Sequence, residues 1–157
     1  MLWRGPEAQV IPLCEELGIG FVCWSPLGMG FLAGTVTANS RFEAGRDFRA
    51  AVPRFAPEAL PTNMALVEVV KTWSRRKNCS PAQLALGWLS ARKPFIVPIP
   101  GTTNVAHLEQ NVLAAAISFS GAEMHDLDAR LAAIRIQGER LPPQVLAATG
   151  VEAPPKR

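Results

Sequence analysis

Two stretches of this chain hold residues whose types and order suit the binding of an anion. In residues 95–111, FIVPIPGTTNVAHLEQN, a short apolar strand ends at Pro100, turns through Gly101-Thr102-Thr103 and enters a helix. A strand that feeds a helix through a small-residue loop is a place where phosphate binds, because unpaired backbone N–H groups and the positive end of the helix dipole meet there. The run therefore proposes a nucleotide phosphate site. A second unit lies upstream, where residues 18–24, GIGFVCW, read as a buried strand and Ser25-Pro26-Leu27-Gly28-Met29-Gly30 as the turn leaving its carboxyl end. Two successive strand ends with small-residue loops point to one parallel sheet with its ligand at the C-terminal face. Structural roles stay open beside this one: Ser25 as a strand terminator, Gly101 as a turn residue, and Thr102 or Thr103 as a helix N-cap.

Other reactive side chains are few. His107 falls in the first turns of the helix after the phosphate loop, and His125, in GAEMHDLDARL, reads as an exposed residue near a helix start. Cys14, Cys23 and Cys79 have no paired spacing and form no metal-ligand pattern with either histidine. They read as reduced thiols in an intracellular protein, with Cys14 on an apolar helix face and Cys23 in a buried strand.

The elements that must position the two loops alternate along the chain. Pro6 at a first helical turn, with Val10, Ile11, Cys14 and Leu17 on one face and Gly18 as the stop, predicts a short amphipathic helix. Residues 28–61 form a long segment broken by Gly28, Gly30, Gly34, Gly45, Pro53 and Pro57; a connection of this length is usually functional. A helix is predicted over 63–77, with Leu66, Val69, Val70 and Trp73 on one face. Ser80 caps the next helix with Pro81 at its first position. Helices over 105–115 and 122–134 follow the PGTT loop. Residues 137–157, with Pro142, Pro143, Pro154 and Pro155, read as an extended or partly disordered tail, which leaves 1–136 as the folded part.

Composition bounds the partners. Hydrophobic residues make up 48% of the 157 and charged residues 18%, which fits a globular α/β protein. The net charge is only +3 and the basic residues are scattered, so nucleic acid is a poor partner and a small anion a better one. Charges and prolines interrupt every apolar stretch before it reaches the ~18 residues a membrane span needs. The N-terminus lacks the layout of a signal peptide, and the cytoplasm is the expected compartment.

The run PEAQVIPLCEELGIGFVCWSPLGMGFLAG over residues 6–34, preceded by Leu2-Trp3-Arg4, resembles the aldo-keto reductase family. So do Asp47-Phe48-Arg49, Val52-Pro53-Arg54-Phe55, SPAQLALGWL over 80–89 and VPIPGTT over 97–103, in this order and spacing. The resemblance implies an α/β fold, the C-terminal portion of a (β/α)8 TIM barrel, with parallel strands alternating with helices and the barrel incomplete. Such barrels typically take about 250 residues. It also implies an oxidoreductase that uses NADP(H) to reduce aldehydes and ketones to alcohols. The family's catalytic Asp, Tyr, Lys and His would belong to an N-terminal half, and this chain has no tyrosine at all. By the resemblance, the loop at Ser25, Leu27 and Gly28 closes over the pyrophosphate. The loop at Gly101, Thr102 and Thr103 holds the adenosine ribose phosphate. Asn111 bonds the adenine, with Gln110 beside it.

Asn104 and His107 stand where family members commonly carry basic residues that grip the 2′-phosphate, and Met29 and Thr35 where they often carry Lys. A neutral imidazole offers one donor where a guanidinium offers a charged fork, so NAD(H) stands beside NADP(H) as a possible cofactor. Two strands cannot close a barrel, which leaves apolar strand faces open unless other polypeptide covers them. That predicts a missing N-terminal half or self-association as partner. The alternative function is a non-catalytic remnant that binds a dinucleotide or a partner, and a third outcome is a poorly folding product with no function.

Overall fold

The computed structural model describes residues 1–149. Its elements alternate as the sequence predicts. A 3₁₀ turn at Gly5–Glu7 leads into α1 (Val10–Glu16), and β1 (Phe21–Trp24) follows. Then come α2 (Leu60–Arg76), α3 (Pro81–Arg92), β2 (Ile96–Ile99), α4 (Val105–Leu113), α5 (Gly121–Ala132) and α6 (Pro143–Thr149).

Local chemistry sets the helix ends. α1 stops at Gly18, whose φ of +65° lets Ile19 N–H reach back to Cys14 C=O at 2.8 Å while Gly18 N–H reaches Glu15 C=O; the glycine pays no Cβ penalty there. α3 starts at a capping box in which the Ser80 hydroxyl accepts from Gln83 N–H and the Gln83 side chain accepts from Ser80 N–H. Ser120 and Glu123 repeat that arrangement at α5.

β1 and β2 form a parallel pair with Phe21 opposite Ile96 and Trp24 opposite Ile99. Residues packed on β2 include those of α3, which is buried on successive positions from Leu84 to Trp88 and so is a core helix rather than an amphipathic one. The other face of the sheet is bare. Val22 and Trp24 are 56% and 57% exposed, and their partners Val97 and Ile99 are 52% and 51% exposed. The predicted apolar face of α1 is covered only in part, with Ile11 and Cys14 half-buried and Val10 and Leu17 exposed. Periodicity marks the face that seeks cover, and the described residues supply it only in part.

The chain divides into two compact units, Met1–Val36 with Leu66–Ile134, and Thr37–Ala65 with the chain from Arg135. The first holds the sheet, α3 and a core of Phe31, Leu32, Val67, Val70, Leu84 and Trp88. The second joins most of the long segment to the start of the predicted tail. That segment contains 3₁₀ turns at Phe48–Ala51 and Pro53–Phe55, and buries Val52, Phe55, Ala59 and Leu60. α6 occupies part of the stretch predicted as extended, with Leu146 buried; residues 150–157 of that tail lie outside the described residues.

Candidate functional site

Because β1 and β2 run parallel in register, the chain leaves both strands at the same end of the sheet: Ser25 follows Trp24, and Pro100 follows Ile99. This is the arrangement that two strand ends with small-residue loops require.

The loop after β1 is wound tightly. Ser25, Gly28, Met29 and Gly30 take φ values of +47°, +56°, +55° and +88°. Left-handed backbone is uncommon for non-glycine residues, so Ser25 and Met29 store strain here. Consecutive turns close on one another: Gly28 N–H donates to Ser25 C=O at 2.9 Å, Phe31 N–H to Gly28 C=O at 3.1 Å, and Leu32 N–H to Leu27 C=O at 3.1 Å. Phe31 and Leu32 are buried and anchor the loop to the core. Glycine suits the left-handed φ at position 28, while a Cβ there would crowd only Cδ1, at the movable end of the Leu2 side chain. Ser25 is exposed, and Leu27 is half-buried.

After β2, Gly101, Thr102, Thr103, His107 and Gln110 are exposed, and Asn111 is half-buried. Neither Thr102 nor Thr103 is the N-cap of α4. Asn104 fills that place, its side-chain oxygen accepting from His107 N–H at 3.2 Å, while Thr102 Oγ1 accepts from Asn104 N–H at 3.1 Å. An Asn directly before the first periodic residue, Val105, is itself a start signal. His107, Gln110 and Asn111 lie one turn apart on α4, so His107 and Asn111 share a face.

Neither residues 25–30 nor residues 100–104 contain a cysteine, a histidine or a carboxylate. Cys23, on β1, and Cys79 are free thiols that burial pushes above the ordinary range, which disfavours thiolate chemistry. His125 is exposed on α5.

A charged cluster that spacing did not reveal lies in the same unit. Arg4 donates to both carboxylate oxygens of Glu7, each at 2.7 Å, and Arg92 Nη2 reaches Glu7 Oε2 at 3.0 Å. Arg92 Nη1 also donates to Asp128. Both guanidinium groups lie over Trp88, at 5.7 Å and 5.1 Å from the ring centroid. Its members are spread from residue 4 to residue 128, and only a tertiary fold assembles them.

Comparison with known proteins gives a consistent result. The profile of the Aldo/keto reductase family matches residues 1–132. A soybean (Glycine max) protein named "Probable aldo-keto reductase 1" is 39% identical over 132 residues, which cover 80% of this chain and 36% of that protein. Two solved structures of aldo/keto reductase from Klebsiella pneumoniae have a similar fold. One is a complex with NADP and acetate (TM-score 0.56, 24% identity), the other a complex with NADPH (TM-score 0.55, 23% identity). Each match covers 89% of this chain and 39% of the Klebsiella chain. The chain thus spans well under half the length of the relatives it matches. Among the described residues, no helix is long and apolar enough to cross a membrane.

Proposed function

The chain belongs to the aldo/keto reductase family, and from that membership we propose that it supplies the dinucleotide-holding part of an NADP(H)-dependent reductase of aldehydes and ketones. The parallel pairing of Trp24 with Ile99 carries this reading, since it brings the loops at 25–30 and 100–104 out of one end of one sheet.

The donor set suits a pyrophosphate. Neither residues 25–35 nor residues 100–108 contain a carboxylate. Ser25 adds an exposed hydroxyl, and α4 adds a helix N terminus. Strained backbone at Ser25 and Met29 is of the kind that persists at ligand clamps. In this reading Ser25 and Leu27 hold the pyrophosphate, and Gly28 lets the backbone approach it. Gly101, Thr102 and Thr103 hold the adenosine ribose phosphate, and Asn111 bonds the adenine beside Gln110. Neither loop contains Lys or Arg, so contact with a 2′-phosphate falls to Asn104 and His107. NADP(H) is the proposed cofactor and NAD(H) the competitor it must be tested against. When bound, the nicotinamide supplies the hydride that reduces the carbonyl carbon.

The proton for the carbonyl oxygen has no tyrosine source in these 157 residues. It comes from polypeptide that completes the site. The bare pairs Val22–Val97 and Trp24–Ile99 support that requirement, because an apolar sheet face of this kind calls for cover by further strands. In the whole protein we read the fold as a barrel that this chain closes only with its missing N-terminal half, or that self-association shields. The same bare face favours a second reading, a non-catalytic module that binds a dinucleotide or a partner. The reading places the protein in the cytoplasm, where its three thiols stay reduced.

Titration with NADPH and NADH, followed by tryptophan quenching, tests the proposal. It is run on the chain alone and after addition of the N-terminal half of a relative. Binding and carbonyl reduction that return only with the added half support the reductase reading. Saturable binding by the chain alone, with no reduction in either case, favours the binding module.

A further inference from the structure

Asn63 is fully buried on the first turns of α2, yet it spends its side chain on two distant pieces of backbone. Its Nδ2 donates to Arg54 C=O at 3.0 Å and to Gln137 C=O at 2.9 Å, while its Oδ1 accepts from Gln137 N–H at 2.7 Å. The amide thus meets Gln137 with both its donor and its acceptor, as a β-ladder partner would, and uses its second N–H on the segment before α2. The two partners are 83 residues apart in the chain. One residue further on, Gly138 takes φ of +81°, and a Cβ there would stand 2.6 Å from both the carbonyl carbon and oxygen of Pro53. Arg54 Nε closes the contact by donating to Gly138 C=O at 3.2 Å.

The segment before α2 is tied to itself in a different way. Arg49 forms a forked pair with Asp47, its Nη2 lying 2.6 Å from Oδ2, and stacks over Phe42 at 4.4 Å. Phe42 meets Phe55 edge to face at 5.4 Å. Asn63, with the Arg54–Gly138 bond and the close approach of Gly138 to Pro53 beside it, ties this loop to the chain after α5. We infer that residues 37–63 and 137–146 open and close as one cooperative unit pinned by Asn63, rather than as a loop and a tail that move independently. The pin makes the unit a strap whose release frees both pieces together. The inference itself concerns only opening and is tested with no cofactor present, so it can fail while the proposed function stands, and the reverse.

Amide hydrogen exchange on the full chain is the test. The reporters are Phe55 and Leu60 N–H on one segment, Gln137 and Leu146 N–H on the other, and Phe21 and Leu84 N–H in the sheet and α3. Asn63→Asp keeps the shape, removes both N–H donors and sets an anion against two carbonyls. Gly138→Ala attacks the same contact from the opposite side. Each is expected to speed exchange ~10-fold or more at all four strap amides, and to leave Phe21 and Leu84 unchanged. A change confined to the mutated segment, a uniform change at all six amides, or no change overturns the inference. Should either variant fail to fold, exchange of the wild-type chain in rising urea gives the same answer. The four strap amides merge on one denaturant dependence if the unit is cooperative, and different slopes for the two segments sink it.

Discussion

The indole N–H of Trp88 donates to Asp128 Oδ1 at 3.0 Å, and the other oxygen of that carboxylate receives Arg92. One acid on α5 thus satisfies a buried indole in the core helix α3 and neutralises the guanidinium that stacks on the same ring. Burial of Trp88 and the charge of Asp128 depend on each other, since an indole N–H buried without an acceptor costs free energy and a half-buried carboxylate without a cation costs more.

Replacing Asp128 therefore separates two contributions. Asp128→Ala orphans Trp88 Nε1 and leaves Arg92 with Glu7 as its carboxylate partner, and is expected to lower stability by about 1–3 kcal/mol. Asp128→Asn keeps an acceptor for the indole and loses only the charge, so it should cost clearly less. Urea unfolding of both variants, read by tryptophan fluorescence, checks the order. Equal losses would mean that the indole bond contributes nothing.

Gly87 marks the closest approach of α3 to the 3₁₀ turn at Ala114–Ala116. An added Cβ would lie 2.7 Å from Ile117 Cβ and 3.3 Å from Ala114 C=O. Alanine is favoured over glycine in a helix by about 1 kcal/mol, but a contact this short forces α3 away from the turn. Gly87→Ala is expected to destabilise by about 1–3 kcal/mol despite the better helix former. Combination with Ile117→Ala removes the Cγ2 at 3.1 Å and should recover part of the loss. A thermal melt showing that Gly87→Ala stabilises the chain would refute the packing argument.

Acid should loosen the joint between α2 and α5. The Lys77 ammonium lies 2.8 Å and 2.9 Å from the two oxygens of Glu123, and Lys77, with Ser120 N–H next, holds that carboxyl below the usual carboxylate range. Arg49 does the same for Asp47. A carboxyl whose pKa is lower folded than unfolded binds fewer protons in the native state. Its contribution is therefore complete above the unfolded value and disappears as pH falls through the folded one. Urea midpoints should be flat near neutrality and decline below about pH 4.5. Lys77→Met is expected to lower the neutral plateau and make the acid decline shallower. An unchanged decline in that variant would assign the acid sensitivity to other groups.

Sequence reading succeeded where one local signal decides the outcome. Gly18 stops α1, Ser80-Pro81 with Gln83 starts α3, and the two small-residue loops leave parallel strands at one end. It failed where the deciding partner is remote. Nothing in the spacing around Asn63 says that a polar residue in a helix will be buried, because Gln137, which satisfies it, is 74 positions away. The buried residues of the long segment, Val52, Phe55 and Ala59, stand at i, i+3 and i+7, but Pro53 and Pro57 fall among them, so the segment read as a long broken connection. Prolines 142 and 143 read as breakers of the tail, whereas Pro143 occupies the first turn of α6, where its missing N–H costs nothing. The place of the two loops at the strand ends was legible for the same reason as the caps, and the strain at Ser25 and Met29 was not, since φ at a non-glycine residue is imposed by the turns around it.

On the proposed reading, cofactor preference depends on the charge of the second loop. The Asn104 side-chain oxygen caps His107 N–H, and residues 100–108 contain neither Lys nor Arg. A 2′-phosphate held there would meet no lysine or arginine, whereas a charge-assisted bond to arginine is worth roughly 1.5–3 kcal/mol. His107→Arg keeps the backbone N–H that Asn104 caps and adds a guanidinium one helical turn before Asn111. It is expected to raise the NADPH-over-NADH affinity ratio by about tenfold or more, and to make NADPH binding more sensitive to salt. The comparison is made by fluorescence titration in the presence of the completing half, at two salt concentrations. If NADPH and NADH tighten equally, His107 is not beside the ribose phosphate. If neither changes, α4 does not face the adenosine end at all, and the assignment of Asn111 to the adenine falls with it.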